Sequence, residues 1–415
     1  MAATSLSSIE LFSGAGGLAL GVARAGFTHK LLLEYNRDAC YTLRQNLKTF
    51  GKQCHLQEGD VGLFDFRPLA GIDLLAAGAP CQPFSIGGKH RGHQDERNLF
   101  PQVFRAVREL EPRAVLIENV KGLLRSSLNE FVEFIELQLA HPSLVASDPL
   151  DPEGWPDHLP RLRRARLERD DHSNLRYRVR KVLLNAADYG VPQRRERVFL
   201  VAIRRDIQIP WRPPTATHSA HALRLAQQVS GEYWKNHGIR RRVDGRSVRA
   251  GEWRLLAGQT KPWTTVRDAL FGLPKAEPGK EAVGWPNHIG QPGARTYPGH
   301  TGSPLDAPGK TLKAGVHGVP GGENMLRQPN GRVRYFTVRE AARIQTFPDD
   351  YVFRGAWGEA MRQIGNAVPV QLAKAVASSI RECLEMQTPL PGQPHLELPA
   401  SYVQADLPGI LVRSA

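Results

Sequence analysis

Short apolar runs alternate with stretches of helical periodicity from residue 6 to residue 125, and this alternation limits the folds open to the chain. The runs Ser8–Phe12, Lys30–Glu34, Ile72–Ala77 and Ala114–Glu118 read as strands. Leu18–Ala25, Asp38–Thr49 and Phe100–Leu110 read as the helices between them. Strands and helices in turn predict an α/β fold, a parallel sheet wound by right-handed crossovers. RERVFLVAI, residues 195–203, reads as a further strand of the same sheet.

Two stretches break this rhythm. Residues 141–172 combine prolines with the basic run RLRRARLERDDH and predict an excursion that ends in a short basic helix. From 272 to 322, 12 Gly and 8 Pro fill 20 of 51 positions, so regular helix cannot dominate there. A separate, smaller, loop-rich domain is therefore expected over 206–330. Helical pattern returns at Val338–Thr346 and Val370–Leu384, and the Pro-rich residues 386–415 read as a tail.

Charge follows the same division. The chain carries 55 Lys+Arg against 41 Asp+Glu, net +14, but residues 1–150 are net −1 while 151–256 are net +11. A neutral front and an arginine-rich middle suit a polyanionic partner; a solvated basic face is the alternative. Four cysteines (Cys40, Cys54, Cys81, Cys383) without a C-x-x-C pair exclude a disulfide scaffold and a cysteine zinc cluster, and no metal site is expected. With no apolar run of membrane-spanning length and no secretory pattern at the N-terminus, the chain reads as soluble and cytoplasmic.

Four segments carry candidate chemistry. In LFSGAGGLALG, Gly14-x-Gly16-x-x-Ala19 follows a strand and opens a helix, and Glu34 lies 20 residues past Gly14. Such glycines let backbone approach a cofactor while a carboxylate accepts from ribose hydroxyls, whether the cofactor is a nicotinamide dinucleotide or S-adenosylmethionine. Asp60 could end the third strand and accept from an adenine amine, or serve as a helix cap. In GAPCQPFS, Cys81 sits between prolines at the carboxyl edge of the sheet, where open α/β folds bind ligands. The residues after it, GGKHRGHQDERN, read as a flap over that edge. Glu118 closes an apolar strand, where desolvation raises a carboxyl pKa and suits it to donate a proton; a salt bridge to an arginine is the alternative. In QRRER, Arg195 and Arg197 point the same way and could aim a guanidinium at a carbonyl oxygen or a phosphate; an exposed basic edge strand is the alternative.

Together these segments resemble the DNA (cytosine-5) methyltransferase family, bacterial restriction–modification type. ELFSGAGG is similar to its cofactor loop, PCQPFS to its nucleophile loop, ENV to its acid motif and QRRER to its Q-x-R-x-R motif. RYFTVREAARIQTFPDDY and QIGNAVPVQLAKAV complete the series in order. The resemblance implies an S-adenosylmethionine-dependent Rossmann-like catalytic domain formed by 1–205 and 331–385. A target recognition domain at 206–330 is implied to lie between its two parts. It implies Cys81 as nucleophile, Glu118 as the acid toward the base and Arg195 near the cytosine carbonyl. Phe12, Gly14, Gly16, Gly17, Leu18, Glu34, Tyr35, Asp60, Pro80, Asn366 and Val368 are implied to form the cofactor pocket, with Tyr35 where the family commonly has an indole. The implied partner is double-stranded DNA, in a monomer whose cognate restriction endonuclease belongs to the same system but is not a stable subunit. Relatives that methylate tRNA carry a Cys-Phe-Thr segment in the small domain, and residues 206–330 contain no cysteine.

Overall fold

The structure, a computed structural model, describes residues 6–79, 99–145, 154–167, 175–240, 260–296, 298, 301–314 and 324–386. Seven strands form one sheet: β1 (Ser7–Leu11), β2 (Thr28–Glu34), β3 (His55–Glu58), β4 (Leu74–Ala77), β5 (Ala114–Val120), β6 (Tyr177–Asn185) and β7 (Glu196–Arg204). Their order is β3-β2-β1-β4-β5-β7-β6. The first five run parallel, and β7 is inserted antiparallel between β5 and β6.

A strand covered on both faces reads as a continuous apolar run, and β4 and β5 do so because helices lie on each side. On one face, Leu11, Leu33, Leu75 and Ile117 pack under α3 (Phe100–Leu110), α4 (Asn129–Ala140) and α5 (Trp155–Leu167). On the other, Leu74, Leu116 and Val201 pack under α1 (Gly17–Arg24) and under Val370–Glu385, a helix from the far end of the chain. That helix lies so close to α1 that a Cβ on Gly21 would meet Ala373 and the backbone of Lys374. Its last turns are pinned twice: its Arg381 donates to Ala25 O, and Arg113 donates to its Leu384 O.

Three elements differ from the sequence reading. The helix expected to run through Thr49 stops as α2 (Arg37–Gln45). Asn46 is the cause: its side chain bonds Thr42 O and pairs with both backbone groups of Val352, turning the chain into a short 3-10 segment, Leu47–Phe50. The strand β6 went unread because arginines alternate with its apolar residues, as suits the edge of a sheet. The helix α4 went unread because Phe131, Val132, Phe134, Ile135, Leu137 and Leu139 bury most of its circumference and blur its period.

In the excursion, α5 spans 13 residues and is seated by Trp155 against Phe131, with Leu159 and Leu162 buried. The smaller region is sparse in regular structure. It includes α6 (Ala220–Gln228), α7 (Glu232–Asn236), α8 (Val266–Leu270) and two-residue strands. A surface groove of about 660 Å³ is lined by Leu273, Leu305 and Leu326 of this region together with Arg334 and Glu340 beyond it. Among the described residues no helix is long and apolar enough to cross a membrane, and no group of His, Cys, Asp and Glu could hold a metal.

Candidate active site at the carboxyl edge of the sheet

The turn after β1 reverses tightly into α1, with Phe12 at φ +57°, Gly14 at +53° and Gly16 at +81°. The three glycines serve different ends. A Cβ on Gly16 would meet Tyr351 Oη at 2.7 Å and Phe50 at 2.8 Å, and one on Gly17 would strike Val368 O. Those two positions are small because the protein's own chain crowds them. A Cβ on Gly14 would meet no atom of the described residues within 4 Å, so its open side is the one a ligand can approach.

Glu34 ends β2 directly opposite. Its Oε2 accepts from Gly14 N at 2.7 Å and its Oε1 from Asn36 N at 2.7 Å, which locks the carboxylate between two loops. Each oxygen keeps a second lone pair for a hydroxyl donor. Tyr35, next to it, leaves its ring 77% exposed, an unusual cost for a large side chain unless something covers it. Asp60 is exposed just past β3, and its Oδ1 caps the following turn by accepting from Gly62 N at 2.8 Å. Leu18 and Val368 bury their side chains in one core cluster, so only their backbone could face a ligand. Asn366 stands exposed at the end of the helix Trp357–Asn366. This donor set and the unfilled space at Gly14 fit a nucleoside-bearing cofactor held by loop backbone, a carboxylate and a stacking ring.

Further along the same edge, β5 delivers Glu118 and Asn119. Glu118 is 7% exposed, and its Oε1 lies 2.7 Å from Arg197 Nε. Burial lifts its carboxyl above the ordinary value, with Arg197 and Arg195 pulling the other way. Asn119 donates from Nδ2 to Ala79 O at 3.3 Å, fastening the start of the segment that leads to Pro80 and Cys81. Pro80, Cys81 and the expected flap lie outside the described residues. The other three cysteines are buried, and burial pushes the thiols of Cys40 and Cys54 up to about 12 and raises that of Cys383.

Two of the three arginines of QRRER, Arg195 and Arg197, separate in role. Arg197 lies on β7 opposite Val120 and faces Glu118. Arg195 precedes the strand, is 1% exposed and spends its guanidinium on backbone: Nη1 on Leu312 O at 2.7 Å, Nη2 on Gly365 O at 2.6 Å and on Ala367 O at 3.1 Å. The guanidinium against the carboxyl is thus that of Arg197, whereas sequence reasoning had put Arg195 at the reacting carbonyl. The alternation of side chains along QRRER names both residues, but only Arg197 lies on the strand, so alternation alone does not tell which of them faces Glu118.

A seven-stranded sheet with one antiparallel strand, a glycine turn into α1 and an acidic residue ending β2 define a Rossmann-like, S-adenosylmethionine-dependent methyltransferase fold. The family model described as C-5 cytosine-specific DNA methylase matches residues 6–140 and 170–382, leaving out the excursion that carries α5. The type II methyltransferase M.NgoMIV of Neisseria gonorrhoeae is 33% identical over 384 residues, covering 92% of this chain and 99% of that one. M.Eco47II of Escherichia coli is also 33% identical, covering 91% and 79%. Among solved structures, a DNA modification methyltransferase encoded within an E. coli prophage superposes with a TM-score of 0.55 at 23% identity, covering 92% and 100%. S. pombe Dnmt2 superposes at 0.54 with 16% identity, covering 91% and 99%. The chain belongs to the C-5 cytosine-specific DNA methylase family, the DNA cytosine-5 methyltransferases of bacterial restriction–modification systems.

Proposed function

We propose that the protein methylates C5 of cytosine within one specific double-stranded DNA sequence, through a covalent bond between Cys81 and C6 of a base swung out of the helix. The observation that carries this reading is the buried Glu118–Arg197 pair on the strand whose Asn119 holds Ala79, two residues before Cys81. S-adenosylmethionine, when bound, supplies an electrophilic methyl group on sulfur. Gly14, Glu34, Tyr35 and Asp60 hold it at the edge of β1–β3, with Phe12, Gly16, Gly17, Leu18, Pro80, Asn366 and Val368 shaping the pocket.

Cytosine C5 is too weak a nucleophile to take that methyl unaided. Addition of the Cys81 thiolate to C6 shifts an electron pair toward C5, while N3 takes a proton from Glu118. Burial keeps that proton on Glu118 to a higher pH than an exposed carboxyl would, and Arg197 steadies the carboxylate left behind. C5 then takes the methyl carbon of the cofactor held there as the carbon–sulfur bond breaks and S-adenosylhomocysteine leaves. Loss of the C5 proton to a base, departure of Cys81 as thiolate and return of the N3 proton to the Glu118 carboxylate restore the aromatic ring. A stacked base cannot reach such a pocket, so flipping precedes addition at about a few kcal/mol.

In this reading 1–205 and 331–385 form the catalytic domain, 206–330 the target recognition domain and 386–415 a tail. The enzyme acts as a cytoplasmic monomer, with a cognate endonuclease as counterpart rather than subunit. Duplex DNA carrying 5-fluorocytosine tests it, because fluorine at C5 cannot leave as a proton does. With S-adenosylmethionine, an adduct that survives denaturation and maps to the Cys81 peptide is expected. An active preparation that forms none would overturn the covalent route.

A further inference from the structure

Gln193, Arg195 and Gln345 are all fully buried and form one hydrogen-bonded cluster behind the candidate site. Gln193 Oε1 accepts from Leu312 N at 2.8 Å, and its Nε2 donates to Gln345 Oε1 at 3.0 Å. Gln345 Nε2 donates to the carbonyls of Ile364 and Ala367 at 2.7 and 3.1 Å. The Arg195 guanidinium bridges the two groups, gripping Leu312 on one side and Gly365 and Ala367 on the other.

What it grips matters. Gly365–Val368 presses on α1, where Val368 O occupies the space a Gly17 side chain would need. Gly365 in turn packs directly on the backbone of Lys313 and Ala314. The side chain of Asn324 pairs with both backbone groups of Lys313, at 3.0 and 2.8 Å, and Arg194 N bonds Gly309 O at 2.9 Å. The end of the Gly/Pro-rich region and the rim of the cofactor pocket therefore share a single clamp.

We propose that Arg195 is a positioning residue that couples the cofactor rim at Gly365–Val368 to residues 309–314 of the small region, so that DNA engagement and cofactor engagement reinforce each other through it. The proposal rests on the methyltransferase reading above. A lysine keeps the charge but lacks the planar fork that spans three carbonyls, so it should fold while loosening the clamp.

The test measures binding of S-adenosylhomocysteine by calorimetry, with and without cognate duplex, alongside steady-state kinetics for Arg195→Lys. Expected are an about tenfold weaker affinity and cofactor KM, a kcat at saturation within about threefold of the unaltered protein, and loss of the DNA-induced gain in affinity. Gln345→Met should reproduce this pattern, whereas Arg197→Lys should lower kcat and leave S-adenosylhomocysteine binding intact. Unchanged binding and coupling in both Arg195→Lys and Gln345→Met would overturn the proposal, as would a fall in kcat alone for Arg195→Lys. If the unaltered protein binds no S-adenosylhomocysteine, the methyltransferase reading falls and takes the coupling with it.

Discussion

Glu118 is held between two opposing influences. Burial favours its protonated form and the guanidinium of Arg197 favours its charged form; burial is the larger. In its proposed role as donor to N3 it must carry its proton, so methyl transfer should fall as pH rises through its elevated pKa. The thiolate requirement of Cys81 pulls the opposite way and gives a bell-shaped profile. Glu118→Gln should slow single-turnover methyl transfer by roughly 10²–10⁴ and remove the carboxyl limb of that profile. His29 offers a second pH signal, in stability. Its ring is buried between Ser8 Oγ and Ala19 O, and burial lowers its pKa to about 4. A base with a depressed folded pKa stabilises fully above its unfolded value near 6.5 and loses that contribution as pH falls toward 4. Urea titrations between pH 7 and pH 4 should show about 3 kcal/mol more loss in the unaltered protein than in His29→Gln.

The elements differ in how plainly the chain announces them. Central strands were legible because β4 and β5 are buried on both faces and read as unbroken apolar runs. The edge strand β6 and the nearly all-buried α4 were not, one for its arginines and the other for its lost period. Glycine positions show the same split within the candidate site. A fingerprint of glycines was readable, yet nothing in the letters told the open Gly14 from the crowded Gly16 and Gly17, because the crowding atoms come from residues 43, 50, 351 and 367–368. This distinction is measurable. Gly21→Ala should cost about 1–3 kcal/mol in urea unfolding, since its methyl must displace Ala373 and the backbone of Lys374. Gly14→Ala meets no atom, so beyond the strain of its positive φ its main effect should be weaker S-adenosylhomocysteine binding.

Along the chain the basic excess is concentrated in residues 151–256, after the neutral front that holds the glycine loop and Glu118. Phosphate contacts release counterions, so duplex affinity should fall steeply with salt. Arg194 is exposed beside the buried Arg195; Arg194→Gln should flatten the log–log salt slope by about 1 and weaken cognate and non-cognate duplexes alike.

The docking of Val370–Glu385 on α1 bears on how the enzyme comes into being. The β1 strand and its glycine turn leave the ribosome well before the surface they need, which arrives more than 300 residues later with Val368 and the helix behind it. A growing chain can wind its parallel strands early but has no finished cofactor rim until that last helix emerges. Partly made copies would accordingly be unable to methylate, and nonsense truncation ahead of residue 370 would strip the cover from one face of the sheet along with the cofactor rim.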